Sequence, residues 1–178
     1  MNSHLSKYLT HESAGLRDWV KSRIPRTDQR YEVIEGNTNY IPKESHYVYG
    51  EVNVSSNDLK SLRVKVLYCE ALDCFNNQLT SLPELPVCET LHCGNNQLTQ
   101  LPKLPVCKTL YCRPNQLEYL PELPVCEELD CGSNQLTQLP NLPVCKTLYC
   151  RANQLEYLPE LPKCEDLSCE DNPGYPFK

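Results

Sequence analysis

From Cys69 onward the apolar positions keep a fixed beat. A 19-residue unit, C-x-x-L-x-C-x-x-N-Q-L-x-x-L-P-x-L-P-V, starts at Cys69, Cys88, Cys107, Cys126 and Cys145, with a truncated copy at Cys164. A fainter copy lies upstream, where Tyr49, Val52, Val54, Asn57 and Leu59 take the Cys, Leu, Cys, Asn and Leu places. The step from Asn57 to Asn77 is one longer than the period, so a single insertion falls there. A longer period, twice the first, is also visible: Lys108–Leu117 reads KTLYCRPNQL and Lys146–Leu155 reads KTLYCRANQL, which points to duplication of a two-repeat block.

Within each unit the beat changes from alternation to a turn. Leu91 and Cys93 share one side of a short strand, Thr90 to Gly94, and His92 takes the other. Such strands stack in parallel at about 4.8 Å. One unit cannot bury its apolar face alone, whereas stacked units make a continuous core. The asparagines Asn57, Asn77, Asn96, Asn115, Asn134, Asn153 and Asn172 stand where the chain turns inward. Their amides are expected to bond backbone groups of their own and neighbouring turns, as an asparagine ladder. Proline fixes φ and lacks a donor, so the L-P-x-L-P segment predicts an extended return.

These units resemble the leucine-rich repeat, L-x-x-L-x-L-x-x-N-x-L, with cysteine in the first and third leucine places. The L-P-x-L-P segments, as in Leu82–Pro86 and Leu120–Pro124, resemble the short repeat class of bacterial type III effectors. The cysteine-bearing units are also similar to repeat proteins of amoeba-infecting giant viruses. The resemblance covers residues 47–169 but departs from the bacterial class in that each unit is shorter by a single position. It includes no ubiquitin-ligase domain, so that activity is not carried over. The expected fold class is an α/β solenoid with little helix. It has a parallel sheet on the concave face, a polyproline-like convex face and a small N-terminal helical cap. Residues 1–46 would form that cap, 47–169 about seven repeats, and 170–178 a short tail.

Twelve cysteines and fifteen prolines change this picture only in part. The cysteines fall into two core columns: Cys69, Cys88, Cys107, Cys126, Cys145, Cys164, and Cys74, Cys93, Cys112, Cys131, Cys150, Cys169. Small buried hydrophobes are the favoured reading, since free cysteine commonly plays that part. Disulfides along a column lie within reach, yet the side chains would stand parallel rather than converge. Zinc fits poorly, because the spacing is C-x4-C then C-x13-C, without C-x2-C clamps. A Cys93–His92 nucleophile fails because strand neighbours point to opposite faces. No metal or other cofactor is expected.

Net charge is −6, divided as +2 over residues 1–65 (10 basic, 8 acidic) and −8 over 66–178 (7 basic, 15 acidic). Nothing concentrates Lys and Arg on one face, so a nucleic-acid partner is not expected. No apolar run reaches the roughly 18 residues of a membrane span, and no apolar segment follows the polar start. The expectation is a reducing compartment, the cytoplasm of the source or of a host cell, with free thiols.

Recognition then falls to the side chains outside the core. The outward strand column runs Asn53, Asp73, His92, Tyr111, Asp130, Tyr149, Ser168. Two places on lie Ser55, Phe75, Gly94, Arg113, Gly132, Arg151, Glu170, and at the strand start Glu70, Glu89, Lys108, Glu127, Lys146, Glu165. The candidate partner-binding residues are Asp73, Phe75, His92, Lys108, Tyr111, Arg113, Asp130, Lys146, Tyr149 and Arg151. Tyr and Arg are enriched at interface hot spots, and Tyr111–Arg113 recurs as Tyr149–Arg151. Against that, the Glu and Lys rows could simply neutralise each other, and duplication alone would repeat the pair. Tyr119 and Tyr157 make a second, weaker patch on the flank. At the ends, Leu5, Tyr8, Leu9, Leu16, Trp19, Val20 and Ile24 fit helical spacing, with Pro25 as a stop and residues 31–41 an extended segment. Tyr175 or Phe177 would fold over the last coil. The function these features suggest is a non-enzymatic protein-interaction module, an effector or viral protein. The alternative is a structural or self-assembling repeat protein that associates through its poorly capped C-terminal end; the expected state of the chain is a monomer or an end-to-end homodimer.

Overall fold

A computed structural model describes residues 32–38, 47–62 and 64–177. Eight strands form one parallel sheet in sequence order: β1 Glu32–Thr38, β2 Tyr47–Asn53, β3 Tyr68–Asp73, β4 Thr90–His92, β5 Thr109–Tyr111, β6 Glu128–Asp130, β7 Thr147–Tyr149 and β8 Asp166–Ser168. From β2 to β8 the chain makes six turns between seven strands. Register follows the repeat: Val52 pairs Leu72, then Leu91, Leu110, Leu129, Leu148 and Leu167 follow in one row. The insertion is absorbed between β2 and β3, and the register past it is undisturbed.

Leucines and cysteines alone make up the core cluster from Leu67 to Leu155. Leu79, Leu98, Leu117, Leu136 and Leu155 after the asparagines are sealed from solvent, as are Leu91, Leu110, Leu129 and Leu148 in the strands. Each fully buried leucine contributes about 1.5–3 kcal/mol, which the single turn could not gain alone. Both cysteine columns lie in this core, with Cys164 at the last turn only partly covered. In the first column the thiols donate to the carbonyl two places ahead: Cys88 Sγ to Thr90 O at 3.1 Å, Cys107 to Thr109 at 3.3 Å, Cys145 to Thr147 at 3.2 Å. A leucine in that place would offer no donor to that carbonyl.

The asparagines act as staples between turns. Asn115 Nδ2 donates to Cys112 O of its own turn (2.8 Å) and Cys93 O of the turn before (2.9 Å), while its Oδ1 accepts from Leu98 N (2.9 Å). Asn77, Asn96, Asn134, Asn153 and Asn172 repeat the arrangement. Asn57 does not. Its turn has Ser56 (φ 54°) in the left-handed place that Asn76 and Asn95 hold before theirs, but adds a second left-handed residue, Asp58 (φ 56°), directly after it, and its side chain is exposed. Among the described residues its amide donates only to Ser55 O, at 2.6 Å, and its own N–H donates to Asn77 Oδ1.

Strands β4 to β8 span three positions each, shorter than the expected run to Gly94. The ladder continues beyond them through Cys74 N to His92 O (2.8 Å) and Asn76 N to Gly94 O (3.0 Å). A left-handed residue then ends it, at Asn76, Asn95, Ser133, Ala152 and Asp171. On the return side no helix forms among the described residues, and none is long and apolar enough to cross a membrane. From Leu104 onward the second proline of the L-P-x-L-P segment does more than extend the chain. Cys107 N donates to Leu104 O (3.4 Å) and Cys126 N to Leu123 O (3.3 Å), closing tight turns with Pro105 and Pro124 in second place. Proline presets φ for that place.

The helical cap expected over Leu5–Ile24 lies outside the described residues. Within 1–46 the described part is strand β1, in the stretch 31–41 read as extended, so the sheet passes the boundary placed at residue 46. β1 pairs with β2 at a step shorter than the repeat, with Ile34 facing Tyr49, and the register slips once more where Asn37 faces Glu51. It is therefore not a copy of the repeating unit. At the other end Gly174 N donates to Leu155 O (2.9 Å), and Phe177 packs on the core while Tyr175 stays half exposed. A Cβ at position 174 would stand 2.1 Å from Glu156 O, so only glycine lets the tail lie this close. Leu167 of β8 is 44% exposed, against 0% for Leu148 one strand earlier.

Candidate interaction face

Strand alternation sends the first and third side chains of the three-residue strands to the solvent face of the sheet. Asn53, Asp73, His92, Tyr111, Asp130, Tyr149 and Ser168 stand in one row, each paired in register with the next. The parallel ladder fixes their spacing at about 4.8 Å per strand. His92 and Tyr111 use it to stack, with ring centroids 4.7 Å apart and planes 25° from parallel.

The candidate residues divide into three groups. Asp73, Phe75, His92, Tyr111, Arg113 and Asp130 come together, with Ser55 and Gly94, around a pocket of about 370 Å³. Residue 94 carries no side chain because none fits: a Cβ there would stand 2.0 Å from Arg113 O and 3.4 Å from Phe75 Cδ2. Phe75 is 46% exposed on its wall. Asp73 accepts from Phe75 N at 3.0 Å and Asn53 Nδ2 at 3.4 Å. Asp130 accepts from Gly132 N at 3.2 Å and faces the Arg113 guanidinium across 3.7 Å. Partial burial still raises the Asp130 carboxyl, with the Gly132 N–H and Arg113 opposing it.

Lys108 and Lys146 lie apart, around a second pocket of about 310 Å³ with Thr109, Glu127, Glu128 and Thr147. Each lysine is held by the glutamate of the preceding turn: Lys108 to Glu89 at 2.6 Å and Lys146 to Glu127 at 2.5 Å. The mutual bond lowers the Glu127 carboxyl and raises the Lys146 amine. This row behaves as neutralising pairs. Tyr149 and Arg151 form the third group, near the C-terminal end, with Arg151 on Asp171 at 3.1 Å.

The candidate set omits the partners of both tyrosines. Tyr111 Oη donates to Glu128 and Tyr149 Oη to Asp166, each carboxylate belonging to the next strand. Burial first, then the bond to Glu128, lifts the Tyr111 hydroxyl to about 12; Tyr149 is raised chiefly by its bond to Asp166. Glu128 and Asp166 belong to the column Ala71, Thr90, Thr109, Glu128, Thr147, Asp166, two places before the outward row and so on the same face. The signal that finds them is period two; the charge column at the strand start is offset by three. On the flank, Tyr119 and Tyr157 are 49% and 58% exposed and donate to Gln100 (2.9 Å) and Gln138 (3.4 Å).

Among solved structures, 13 chains match this one. One of them is YopM, a leucine-rich effector protein from Yersinia pestis, at 30% identity and a TM-score of 0.54 over 75% of this chain. The fold is a leucine-rich-repeat-like solenoid. The chain spans 45% of the length of the YopM chain it matches, so the likeness concerns the repeats and not that whole protein. No family model and no curated protein matches the sequence. Among the described residues no group of three or more His, Cys, Asp or Glu is arranged to hold a metal ion.

Proposed function

We propose that the chain is a non-enzymatic protein-interaction module that docks a partner on the solvent-facing, concave side of its sheet. The observation that carries this is the pocket in which Phe75, His92, Tyr111, Arg113 and Asp130 meet on a rigid parallel ladder. Aromatic and arginine side chains held at fixed spacing supply contact area and directional bonds at little entropic cost. As part of the same proposal the chain is an effector acting inside a host cell. The YopM likeness supports a bacterial setting, and a viral source is the alternative within the proposal. Reducing cytoplasm is the compartment proposed, since a core with twelve thiols is best kept there. The test is affinity capture from the native cell with wild type, with Tyr111, Arg113, Tyr149 and Arg151 all changed to alanine, and with the flank pair Tyr119→Ser and Tyr157→Ser. Loss of the same captured protein in the face variant alone is expected. Equal capture by face variant and wild type would overturn the face assignment, and loss in the flank variant would move it there.

A second reading, end-to-end pairing of two copies, is favoured by one observation: β8 has a neighbour on one side only and leaves Leu167 44% exposed. Light scattering over rising concentration should then show dimers that Leu167→Glu abolishes; a monomer throughout would reject the pairing.

A further inference from the structure

We infer that the pocket between Asp73 and Asp130 receives a cationic side chain, arginine or lysine, from an extended basic segment of the partner. This rests on the proposed face and names the chemistry of what docks there. Three features combine. The first is charge: Asp73 is bonded to a backbone N–H and an amide but has no ion-pair partner among the described residues. Over the described solvent face of the sheet, Glu51, Asp73, Glu128, Asp130, Asp166, Glu170 and Asp171 stand against Arg113 and Arg151, while Lys108 and Lys146 are already matched by Glu89 and Glu127. The second is the wall: Phe75 and the stacked His92–Tyr111 pair offer ring faces beside Asp73. A guanidinium or ammonium gains from both a carboxylate and an aromatic face.

The third feature is shape. Asp73 and Asp130 lie three strands apart in one row, about 14 Å at the spacing of parallel strands. Gly94 lines the trough between them without a side chain, its backbone so close to Arg113 O that no Cβ fits. A segment in extended form advances about 3.3 Å per residue, so about four residues span the trough. The cation sits at the Asp73 end, because at the other end Arg113 already faces Asp130 at 3.7 Å. An acidic segment would meet Asp73, Asp130 and Glu128 with a single arginine to answer them.

The probes are three nine-residue peptides in a Gly/Ser background, carrying arginine, citrulline or glutamate at the centre. Each is titrated into isotope-labelled full chain, with backbone amide shifts as the readout. The arginine peptide should shift the amides of Phe75, Gly94 and Tyr111 to saturation, weakening with salt. Citrulline should bind about tenfold more weakly, as loss of one charge-assisted pair implies. Asp73→Asn keeps an acceptor for Phe75 N–H, and should weaken the arginine peptide to the citrulline level while leaving the amide spectrum otherwise intact. Asp171→Asn, at the far end of the face, should change nothing. Equal binding of all three peptides, shifts confined to the Lys108–Glu127 row, or no shift at all would overturn the inference. If face-variant capture fails as proposed while the arginine peptide leaves the pocket silent, the face stands and the cation does not. If the peptide binds at Asp73 while capture ignores the face, the pocket stands and the docking face does not.

Discussion

Cys107–Val125 and Cys145–Lys163 are the same sequence but for two positions, Pro114 against Ala152 and Val125 against Lys163. Their surroundings differ far more. Leu123 is sealed, while its twin Leu161 is only partly covered; Leu120 is buried and Leu158 is not. Tyr111 stacks on His92 inside a pocket, while Tyr149 meets the exposed Asp166. Burial lifts the Cys107 thiol to about 12 and the Cys145 thiol to about 11. The first turn is followed by two full units, the second by a truncated unit and the tail. In a one-dimensional stack, environment is conferred by the neighbours, so identical residues acquire different stabilities and reactivities.

The largest test of that statement uses the thiols. In the unfolded chain cysteines lose their protons near pH 8.5. In the folded chain burial holds Cys107, Cys126 and Cys150 neutral up to about 12. Since the folded value is the higher one, the stability is complete below about pH 8.5 and is lost as pH rises toward 12. Each buried thiol takes away up to about 1.4 kcal/mol per pH unit, so the urea midpoint should collapse between about pH 8 and 10. An unchanged midpoint would mean that the sulfurs ionise in place. At pH 8 a disulfide reagent should label Cys164 first and Cys107 only on unfolding, and the denatured, unreduced chain should titrate all twelve thiols. Next in size are the leucine twins. Leu123→Ala should cost about 2–5 kcal/mol and Leu161→Ala about 1 kcal/mol in urea unfolding, because only the first leaves an enclosed cavity. Equal losses would break the comparison.

Which parts of this were legible beforehand follows the same physics. The outward row from Asn53 to Ser168 and both cysteine columns could be read from the repeat, because strand alternation and a constant period leave no freedom of register. The acceptors Glu128 and Asp166 were not read, because the charged strand-start column lies one place off the face that the tyrosines use. Asn57 has the ladder spacing and misses the ladder; what sets its turn apart is the left-handed Asp58 directly after it. β1 breaks the period with its shorter step, so no repeat pattern could reveal its place in the sheet. The pocket that Gly94 lines is legible only once Phe75 and Arg113 are known to flank a residue without a side chain.

The asparagines sharpen the comparison by refusing to follow it. Asn115 and Asn153 both reach backward, to carbonyls of their own and the preceding turn and to Leu98 N and Leu136 N. Neither needs the turn that follows. Asn115→Ala and Asn153→Ala should therefore destabilise equally, by about 2–3 kcal/mol each, from buried groups left without partners. A markedly smaller loss at Asn153, read by urea unfolding, would show that the ladder weakens toward the end as the core does.

The smallest effect isolates the one sequence difference that touches the backbone. Ala152 holds φ 54°, in a column whose other left-handed members are Ser56, Asn76, Asn95, Ser133 and Asp171. For an L-residue with a Cβ that region costs roughly 1 kcal/mol, and asparagine tolerates it best. Asn95 and Asn76 also join amides along this column, Nδ2 to Oδ1 at 2.5 Å. An amide at 152 would lie between Ser133 and Asp171, with acceptors on both sides. Ala152→Asn should thus raise stability by about 0.5–1 kcal/mol without changing the exposure of Leu161, so the twins would keep their unequal cores. A lower urea midpoint for this variant would mean that the left-handed turn at 152 carries no cost to relieve, and that the neighbours set the backbone here as fully as they set the burial.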